Sequence, residues 1–510
     1  MADQQTFFDH ITEGNTFKGD AITLGAAMLD GETITNALVK VPLKTMNRHG
    51  LIAGATGTGK TKTLQVLAEN LSEKGIPVLL MDMKGDLSGI AQPSPGHAKI
   101  DERHEKIGIP FEAKKFPVEI LSLSVQKGVR MRATVSEFGP VLLSRILDLS
   151  DTQSGIVSVI FKYCDDNKLP LLDLKDFKKI LQYSTEEGKE ELAKDYGRIS
   201  SASTGAILRK VVELEQQGGD LFFGEKSFDT DDLLRIDENG FGYINILRLT
   251  DIQDRPKLFS TFMLSLLAEI YATFPEQGDT GRPELIIFID EAHLIFNEAS
   301  KALLNQIESI VKLIRSKGVG LYFVTQNPTD VPDAVLSQLG LKVQHALRAF
   351  TAKDRKAIKL TAENYPISTF YKTDEVLTSL GIGEALVSAL NEKGIPTPLA
   401  ATLLRAPMSR MDVLEDSELE ELTAHSKLIK KYNETIDRES AYELLNEKIE
   451  LADQEEAKEK ARREKEAVER SSSRTTTSRR RRAPQNPLVK TLTSPTVIRS
   501  VLGILGKMMR

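Results

Sequence analysis

Apolar residues along this chain cluster in short continuous runs, each of which ends at or is followed by glycine, acidic or amide residues. The clearest runs lie at 51–53, 78–82, 285–289 and 318–326. Because a continuous apolar run suits a strand that is covered on both faces, these segments predict buried strands. The segment after the first run, 62–72, instead repeats apolar residues at helical spacing. This alternation predicts an α/β protein with a mainly parallel central sheet.

A glycine-rich loop follows the first run and reads Gly-x-x-x-x-Gly-Lys-Thr from Gly54 to Thr61. Its glycines permit positive φ angles, so that successive N–H groups can surround a β-phosphate at the start of a helix. Lys60 is expected to contact the β- and γ-phosphates, and the Thr61 hydroxyl to bind Mg²⁺. A strand before the loop and a helix after it argue against a chance match in a glycine-rich turn. The predicted ATP-binding residues are Gly54, Ala55, Thr56, Gly57, Thr58, Gly59, Lys60, Thr61 and Lys62.

An acidic pair, Asp290 and Glu291, follows the apolar run at 285–289. A site for a magnesium nucleotide needs an acid at the end of a second strand, and Asp290 is expected to hold Mg²⁺ through water. Glu291 is placed to polarise the attacking water as a general base. The alternative for the pair is a buried strand that ends in a helix N-cap. Two adjacent acids favour hydrolysis of ATP over phosphoryl transfer by a small-molecule kinase.

Two more polar residues, Asp82 and Gln326, end predicted strands. Ligands of open parallel sheets bind outside the carboxyl ends of the strands, so both residues are candidates for the catalytic site. Gln326 is suited to sensing the γ-phosphate or positioning water. The alternative for Gln326 is a polar residue that simply terminates its strand before Asn327 and Pro328.

Several long motifs resemble the HerA-like branch of the HerA/FtsK P-loop ATPases, over about residues 46–410: "NRHGLIAGATGTGKT", "MDMKGDLSGIAQ", "FIDEAHLIFN" and "LIRSKGVGLYFVTQNP". The resemblance implies a P-loop NTPase fold of the RecA/FtsK type. It also implies that Asp82 is an active-site acid and that Arg315 is an arginine finger that acts on the neighbouring subunit's nucleotide. Without the resemblance, Arg315 is better interpreted as a solvated cation at a helix end. Arg348 and Arg355 are weaker candidates for the finger.

The resemblance further implies a homo-oligomer, expected to be a hexameric ring, that translocates or remodels double-stranded DNA. A finger that acts in trans requires a head-to-tail interface, and such interfaces close into rings. A second hypothesis is an oligomeric regulatory or defence-type ATPase that acts on a protein partner with little DNA translocation. About 45 residues precede the ATPase core that begins near residue 46, which is too few for the barrel domain of longer HerA proteins and leaves their nuclease partnership in doubt.

Shifts in composition predict seven segments along the chain. They are a short β-rich segment at 1–45, the first part of the ATPase core at 46–124, a mostly helical insertion at 125–235, the second part of the core at 236–410, a charged helical extension at 411–470, a disordered linker at 471–487 and an amphipathic helix at 488–510. The linker carries four consecutive arginines and is suited either to anionic phosphates or to a solubilising role. The last helix is expected to dock on protein.

Charge and cysteine content add limits to this interpretation. The chain has 67 basic and 73 acidic residues, a net charge of −6, which does not indicate a DNA-coating protein and does not exclude DNA bound by a locally basic channel. Its single cysteine, Cys164, excludes an intrachain disulfide and suits a reducing compartment. The first 15 residues lack the pattern of a signal peptide, and no apolar run is long enough for a membrane segment. A cytoplasmic protein is therefore expected.

Overall fold

A twelve-stranded sheet forms the centre of the computed structural model, which describes residues 4–278, 281–298, 301–434, 436 and 438–474. The strands are β1 (Ala21–Leu29), β2 (Glu32–Pro42), β3 (Gly50–Ala53), β4 (Val78–Asp82), β5 (Val118–Ser122), β6 (Val129–Arg130), β7 (Ile244–Arg248), β8 (Leu285–Ile289), β9 (Val319–Thr325), β10 (Leu341–His345), β11 (Glu384–Ser388) and β12 (Ala400–Leu404). Their spatial order is β2-β1-β12-β11-β10-β3-β9-β8-β4-β7-β5-β6.

Eight neighbouring strands, from β10 to β6 in this order, run parallel to one another. The other four strands pair antiparallel on one side of them. Every residue of β3, β4, β8 and β9 is buried, as expected for strands covered on both faces. The predicted α/β fold with a mainly parallel sheet is confirmed.

Helices cover the sheet and fill the long connections between strands. Those described are α1 (Gln4–Gly14), α2 (Lys60–Glu73), α3 (Ala98–Ile107), α4 (Val135–Ile146), α5 (Asp151–Asp166), α6 (Leu174–Tyr183), α7 (Lys189–Asp195), α8 (Ser201–Gln216), α9 (Gly219–Phe222), α10 (Pro256–Thr273), α11 (His293–Glu298), α12 (Lys301–Leu313), α13 (Asp333–Leu336), α14 (Ala352–Glu363), α15 (Thr373–Ser379), α16 (Asp416–Ala424), α17 (Lys427–Tyr432) and α18 (Ala441–Arg474). Six of them, α4 to α9, form the helical insertion between β6 and β7.

The N-terminal hairpin of β1 and β2 belongs to the central sheet, because β1 pairs with β12. Its turn lies at Asp30 and Gly31, both with left-handed φ angles of 51° and 83°. Aspartate and glycine tolerate this conformation better than most residues, which explains why the chain reverses there. The β-rich segment therefore extends the sheet on its antiparallel side.

The chain after β12 runs across helix α2 on its way to the insertion. Both carboxylate oxygens of Glu69 on α2 accept N–H bonds from this segment, from Met408 at 2.7 Å and from Ser409 at 3.0 Å. Further along, Asn433 bonds to the Arg130 N–H at 2.9 Å and to the Gly128 carbonyl at 2.8 Å. The C-terminal extension thus joins the helix that follows the phosphate loop to the region of the insertion.

The chain divides into two units, 1–445 and 446–510. The described part of the second unit continues α18 to Arg474. This helix is exposed from residue 450 to residue 468 and has ion pairs at i,i+4 spacing, such as Glu456–Lys460 at 2.7 Å. The predicted amphipathic helix at 488–510 lies outside the described residues, as does most of the predicted linker. Within the described part of the chain, no helix combines the length and apolar character needed to cross a membrane.

Candidate functional site

The phosphate loop, residues 54–61, connects β3 to α2 and is shaped by three glycines with positive φ angles. These are Gly54 at 151°, Gly57 at 79° and Gly59 at 113°. A Cβ atom on Gly54 would lie 2.5 Å from the Cβ of His345, so a side chain at that position is excluded by packing as well as by conformation. Gly59 caps the N-terminus of α2. The loop therefore presents backbone N–H groups and a helix N-terminus to one point, as an anion site requires.

Neighbouring segments of the sheet hold the phosphate loop in place. The Ala55 N–H donates to the Ala346 carbonyl, just after β10, at 2.9 Å. The Thr58 carbonyl accepts the Gly383 N–H, just before β11, at 3.0 Å. His345 lies buried beneath the loop with Nε2 2.9 Å from the Thr63 hydroxyl, and burial lowers its pKa to about 4. The imidazole is consequently neutral and packs as part of the loop's support.

Lys60 folds back over its own loop. Its ammonium donates to the Gly54 carbonyl at 2.7 Å and to the Ala55 carbonyl at 3.1 Å, and the residue is only 7% exposed. Burial lowers the pKa of Lys60, and the positive charge of Lys84 lowers it further. The ammonium is thus desolvated and held by neutral carbonyls, an arrangement in which an anionic phosphate is a stronger partner.

The two residues after Lys60 differ in where their side chains go. Thr61 is half-buried at the start of α2, next to the loop. The Lys62 ammonium donates to the Met411 carbonyl at 2.5 Å, in the segment that crosses α2. The structure therefore leaves Thr61 as the side-chain ligand candidate and directs Lys62 toward the C-terminal extension.

The acidic pair lies directly after β8, two strands from β3 in the sheet order. Both residues are buried, and burial raises the pKa of Asp290 to about 7 against the opposing charge of Lys84. Glu291 has a φ of 47°, in the left-handed region that residues other than glycine rarely adopt. Its carboxylate lies 2.5 Å from the Lys84 ammonium and 3.2 Å from His293 Nδ1. A strained backbone that aims a buried carboxylate is characteristic of functional sites.

Asp82 organises the loop that follows β4. One carboxylate oxygen accepts the Gly85 N–H at 2.7 Å and the other accepts the Leu87 N–H at 3.2 Å. Burial and the adjacent Asp86 carboxylate raise the pKa of Asp82 to about 6. The same loop carries Lys84, whose ammonium forms the ion pair with Glu291, so Asp82 fixes the loop that holds this partner of the acidic pair. Sequence reasoning did not single out Lys84, although it lies inside the "MDMKGDLSGIAQ" motif.

Gln326 follows β9 at the same end of the sheet. Its neighbour Thr325 pairs with Ala53, and the Thr325 carbonyl accepts the Gly54 N–H at 3.3 Å. The Gln326 side chain is exposed beside the start of the phosphate loop. The structure thus gathers the loop, the acidic pair, Asp82 and Gln326 at the carboxyl end of the parallel strands.

These residues fit Mg²⁺ bound together with a nucleotide. Thr61 supplies a hydroxyl oxygen and Asp290 a carboxylate, which are hard oxygen donors. Within the described ranges, no group of three or more His, Cys, Asp or Glu residues could by itself hold a metal ion. Mg²⁺ commonly uses one or two protein ligands, water and phosphate oxygens, so the donor set suits a cation brought by ATP.

Arg315 lies at the opposite, amino end of the sheet, in the 3₁₀ turn Ile314–Lys317 that precedes β9. It lines a cleft of about 630 Å³, here named the amino-end cleft, together with Lys44, Arg48 and Lys312. The same cleft includes the carboxylates Glu276 and Glu392. The structure does not bring Arg315 together with the phosphate loop of its own chain. Lys312 lies three residues before Arg315, whereas Lys44 and Arg48 come from one turn before β3, far away in sequence; sequence reasoning singled out none of the three.

A family model described as helicase HerA-like C-terminal matches residues 28–510. The chain belongs to the helicase HerA-like C-terminal family. It is therefore a P-loop ATPase of the HerA type by descent, as the motifs predicted.

Two HerA-like relatives illustrate the breadth of the match. The chain is 23% identical over 396 residues to a protein of Sulfolobus acidocaldarius named DNA double-strand break repair helicase HerA, covering 74% of this chain and 69% of that protein. It is 25% identical over 367 residues to a probable helicase of Methanocaldococcus jannaschii, covering 70% of this chain and 63% of that protein. The chain thus spans about two thirds of the length of these relatives.

The fold resembles that of the bacterial conjugative coupling protein TrwBdeltaN70. The TM-score is 0.50 at 15% sequence identity, and the match covers 80% of this chain and 95% of that chain. This likeness concerns the fold alone, and it confirms the predicted P-loop NTPase architecture of the HerA-like core.

Proposed function

We propose that this protein hydrolyses MgATP at the carboxyl end of its sheet. The observation that carries the proposal is the convergence of the glycine-shaped loop, Lys60 and the buried acidic pair at that end. The loop N–H groups bind the β-phosphate, and Lys60 exchanges its two carbonyl partners for β- and γ-phosphate oxygens. Bound Mg²⁺, held by Thr61 and through water by Asp290, supplies charge neutralisation between those phosphates.

Glu291 is proposed as the general base. Its carboxylate is buried and fixed by the ion pair with Lys84, and its left-handed backbone sets the direction of the side chain. A base in this position accepts a proton from the water that attacks the γ-phosphate. Gln326, exposed at the next strand end, is suited to orienting that water. Asp82 is proposed to position this machinery through the Lys84 loop.

Arg315 is proposed to complete the site of a neighbouring copy. Within one chain it lies at the amino end of the sheet, away from the phosphate loop, so it can reach a γ-phosphate only in another subunit. A guanidinium supplied in trans stabilises the charge of the transferred phosphoryl group. Because the two halves of the site lie at opposite ends of the chain's sheet, the contact is head-to-tail and closes into a ring. A hexamer is the proposed form.

Double-stranded DNA is the proposed substrate of the motor. Relatives that match over about 70% of the chain carry names that refer to DNA double-strand break repair or to helicases, which supports DNA over a small-molecule substrate. Site chemistry alone does not identify a polymer, so this part of the proposal depends on the relatives.

Steady-state ATP hydrolysis with and without long double-stranded DNA tests the proposal, with particle mass measured in the same buffer. The expected result is a ring-sized particle whose hydrolysis requires Mg²⁺ and rises with DNA, while a Lys60→Ala control binds no ATP. If the protein is an oligomer whose hydrolysis rate does not change with DNA, the result would favour an ATPase that acts on a protein partner. Absence of hydrolysis under both conditions would contradict the proposal.

A further inference from the structure

A strongly basic surface lies on the segment that follows β10, here named the 348–359 surface. Its cations are Arg348, Lys353, Arg355, Lys356 and Lys359, all exposed. In the described part of the chain, none of the five forms an ion pair with a carboxylate at an N···O distance of 4.0 Å or less. On a chain with a net charge of −6, five cations against a single acid, Asp354, within twelve residues form a local exception. Such a cluster is the electrostatic signature of an anion-binding surface.

The geometry of α14 gathers the cations on one side. Ile358 and Thr361 are the buried residues of this helix and face the body of the protein. Lys353, Arg355, Lys356 and Lys359 lie on the remaining arc, because helical residues repeat every 3.6 positions. The acid within the first turn, Asp354, is occupied by the N-terminal cap, where it accepts the Phe350 N–H at 3.0 Å and the Thr351 N–H at 2.8 Å. Its charge interacts with Lys353 and offsets one of the five cations, which leaves the surface with an excess of positive charge.

An aromatic ring stands in the middle of these charges. Phe350 is 87% exposed, between Arg348 and the start of α14. An isolated exposed phenylalanine costs free energy in water, and a ring flanked by cations matches the pattern by which proteins contact nucleic-acid strands. Cations bind the phosphates while the ring lies against a base or sugar.

The 348–359 surface is also connected to the nucleotide site. The chain passes from His345, beneath the phosphate loop, through Ala346, which accepts the Ala55 N–H at 2.9 Å. Leu347 is buried, and the exposed residues begin immediately afterwards at Arg348. A single residue, Leu347, thus separates the brace of the phosphate loop at Ala346 from the start of the basic surface at Arg348.

We propose that the 348–359 surface binds the phosphate backbone of nucleic acid, with Phe350 against a base or sugar, and that it moves with the phosphate loop. This inference rests on the proposed DNA-dependent function and names the surface of this chain that holds the strand. It assigns Arg348 and Arg355, the weaker candidates for the finger, to contact with nucleic acid.

The test compares binding of a fluorescein-labelled DNA duplex, and of its single strand, by the full chain and by variants over a range of salt concentrations. For Lys353→Ala/Lys356→Ala, affinity is expected to fall and the slope of log K against log salt to decrease by about 2, because each removed cation leaves one phosphate without its neutralising partner. Phe350→Ala is expected to weaken single-strand binding by about tenfold with little change in slope. The matched control, Lys189→Ala/Lys194→Ala on α7, removes two exposed cations and should bind as the unmodified chain does.

Thermal melting and particle mass accompany each variant. If the unmodified protein binds DNA and both variants bind it equally well, this inference is overturned while the proposed function stands. If the double variant loses its oligomeric mass instead, the surface is a subunit contact and the inference is again overturned. If the unmodified protein hydrolyses ATP but binds no DNA in any nucleotide state, the DNA part of the proposed function fails together with this inference.

Discussion

The two ends of the parallel sheet differ sharply in charge and in local construction. At the carboxyl end, short loops after β3, β4 and β8 bring a glycine-shaped anion site next to buried carboxylates. At the amino end, four cations line an open cleft of about 630 Å³. The first end is assembled from residues that follow their strands directly, whereas the second collects residues from separate turns and helices.

Under the proposed function, each end of the chain supplies one part of a phosphoryl-transfer site. The carboxyl end holds the phosphate loop, Lys60 and the acidic pair, and the amino end holds Arg315. Because Arg315 lies at the end of the sheet away from the phosphate loop, the proposal requires the two parts to meet between copies. Variants that damage opposite ends should therefore behave differently in mixtures from variants that damage the same end.

Among substitutions at the amino end, Arg315→Ala is expected to have the largest effect. It should lower the rate of ATP hydrolysis on the order of 10³-fold or more while ATP still binds. The reason is that Arg315 is proposed to stabilise the γ-phosphate bound by a neighbouring copy and not to bind the nucleotide of its own chain. Mixing this variant with Glu291→Gln under conditions of subunit exchange should restore part of the activity, as measured by steady-state hydrolysis.

A same-end mixture provides the control. Lys60→Ala and Glu291→Gln both damage the carboxyl end, so no interface in their mixture holds a complete site and activity should stay absent. Equal recovery in both mixtures, or recovery in neither when exchange is demonstrated, would contradict the division of the site between the two ends.

Glu291→Gln alone is expected to lower hydrolysis about 10²- to 10⁴-fold while ATP still binds, because the amide keeps the shape of the side chain but cannot accept the proton. Glu284→Gln is a matched control, since Glu284 lies immediately before the same strand, at the amino end. It should leave turnover unchanged. Single-turnover measurements with labelled ATP separate ATP binding from the hydrolysis step. Full turnover by Glu291→Gln would contradict the assignment of Glu291 as the general base.

The carboxyl end could be predicted from sequence because its chemistry is local. The end of a strand, the glycine-rich loop and the start of a helix can be recognised from about a dozen consecutive residues. The acidic pair can likewise be recognised from the apolar run directly before it. The position of Gln326 at a strand end could be predicted for the same reason, because it directly follows an apolar run. Asp82 was placed at the correct strand end, while the bonds from its carboxylate to the following backbone became visible only in the structure.

Non-local contacts account for what sequence reasoning missed. Lys84 meets Glu291 across more than 200 residues of chain, and the braces of the phosphate loop come from Ala346 and Gly383. Arg48 joins Arg315 only because β3 and β9 are neighbours in the sheet. The N-terminal hairpin was predicted as strands, but its pairing with β12 spans almost the whole core and leaves no local signal.

His49 links the two ends of the sheet and provides the mildest test of the comparison. It precedes β3, whose other end is the phosphate loop, and it is buried near Arg315. Its Nε2 donates to the Val311 carbonyl on α12 at 2.8 Å, and its Nδ1 accepts the Leu321 N–H of β9 at 3.0 Å. This tautomer ties the residue before β3, the strand that leads to the phosphate loop, to β9 and to α12, the helix that leads to Arg315.

Burial lowers the pKa of His49 to about 4, so the unfolded chain, with an ordinary pKa of about 6.5, binds a proton more readily. Stability from this residue is complete above about pH 6.5 and is lost as pH falls toward 4, by up to about 3 kcal/mol. His49→Gln can keep both hydrogen bonds without titrating. Urea unfolding at several pH values should therefore show that the variant loses less unfolding free energy in acid than the unmodified chain does. If the unfolding free energy of both proteins falls equally with pH, His49 does not link the two ends in the way its hydrogen bonds indicate.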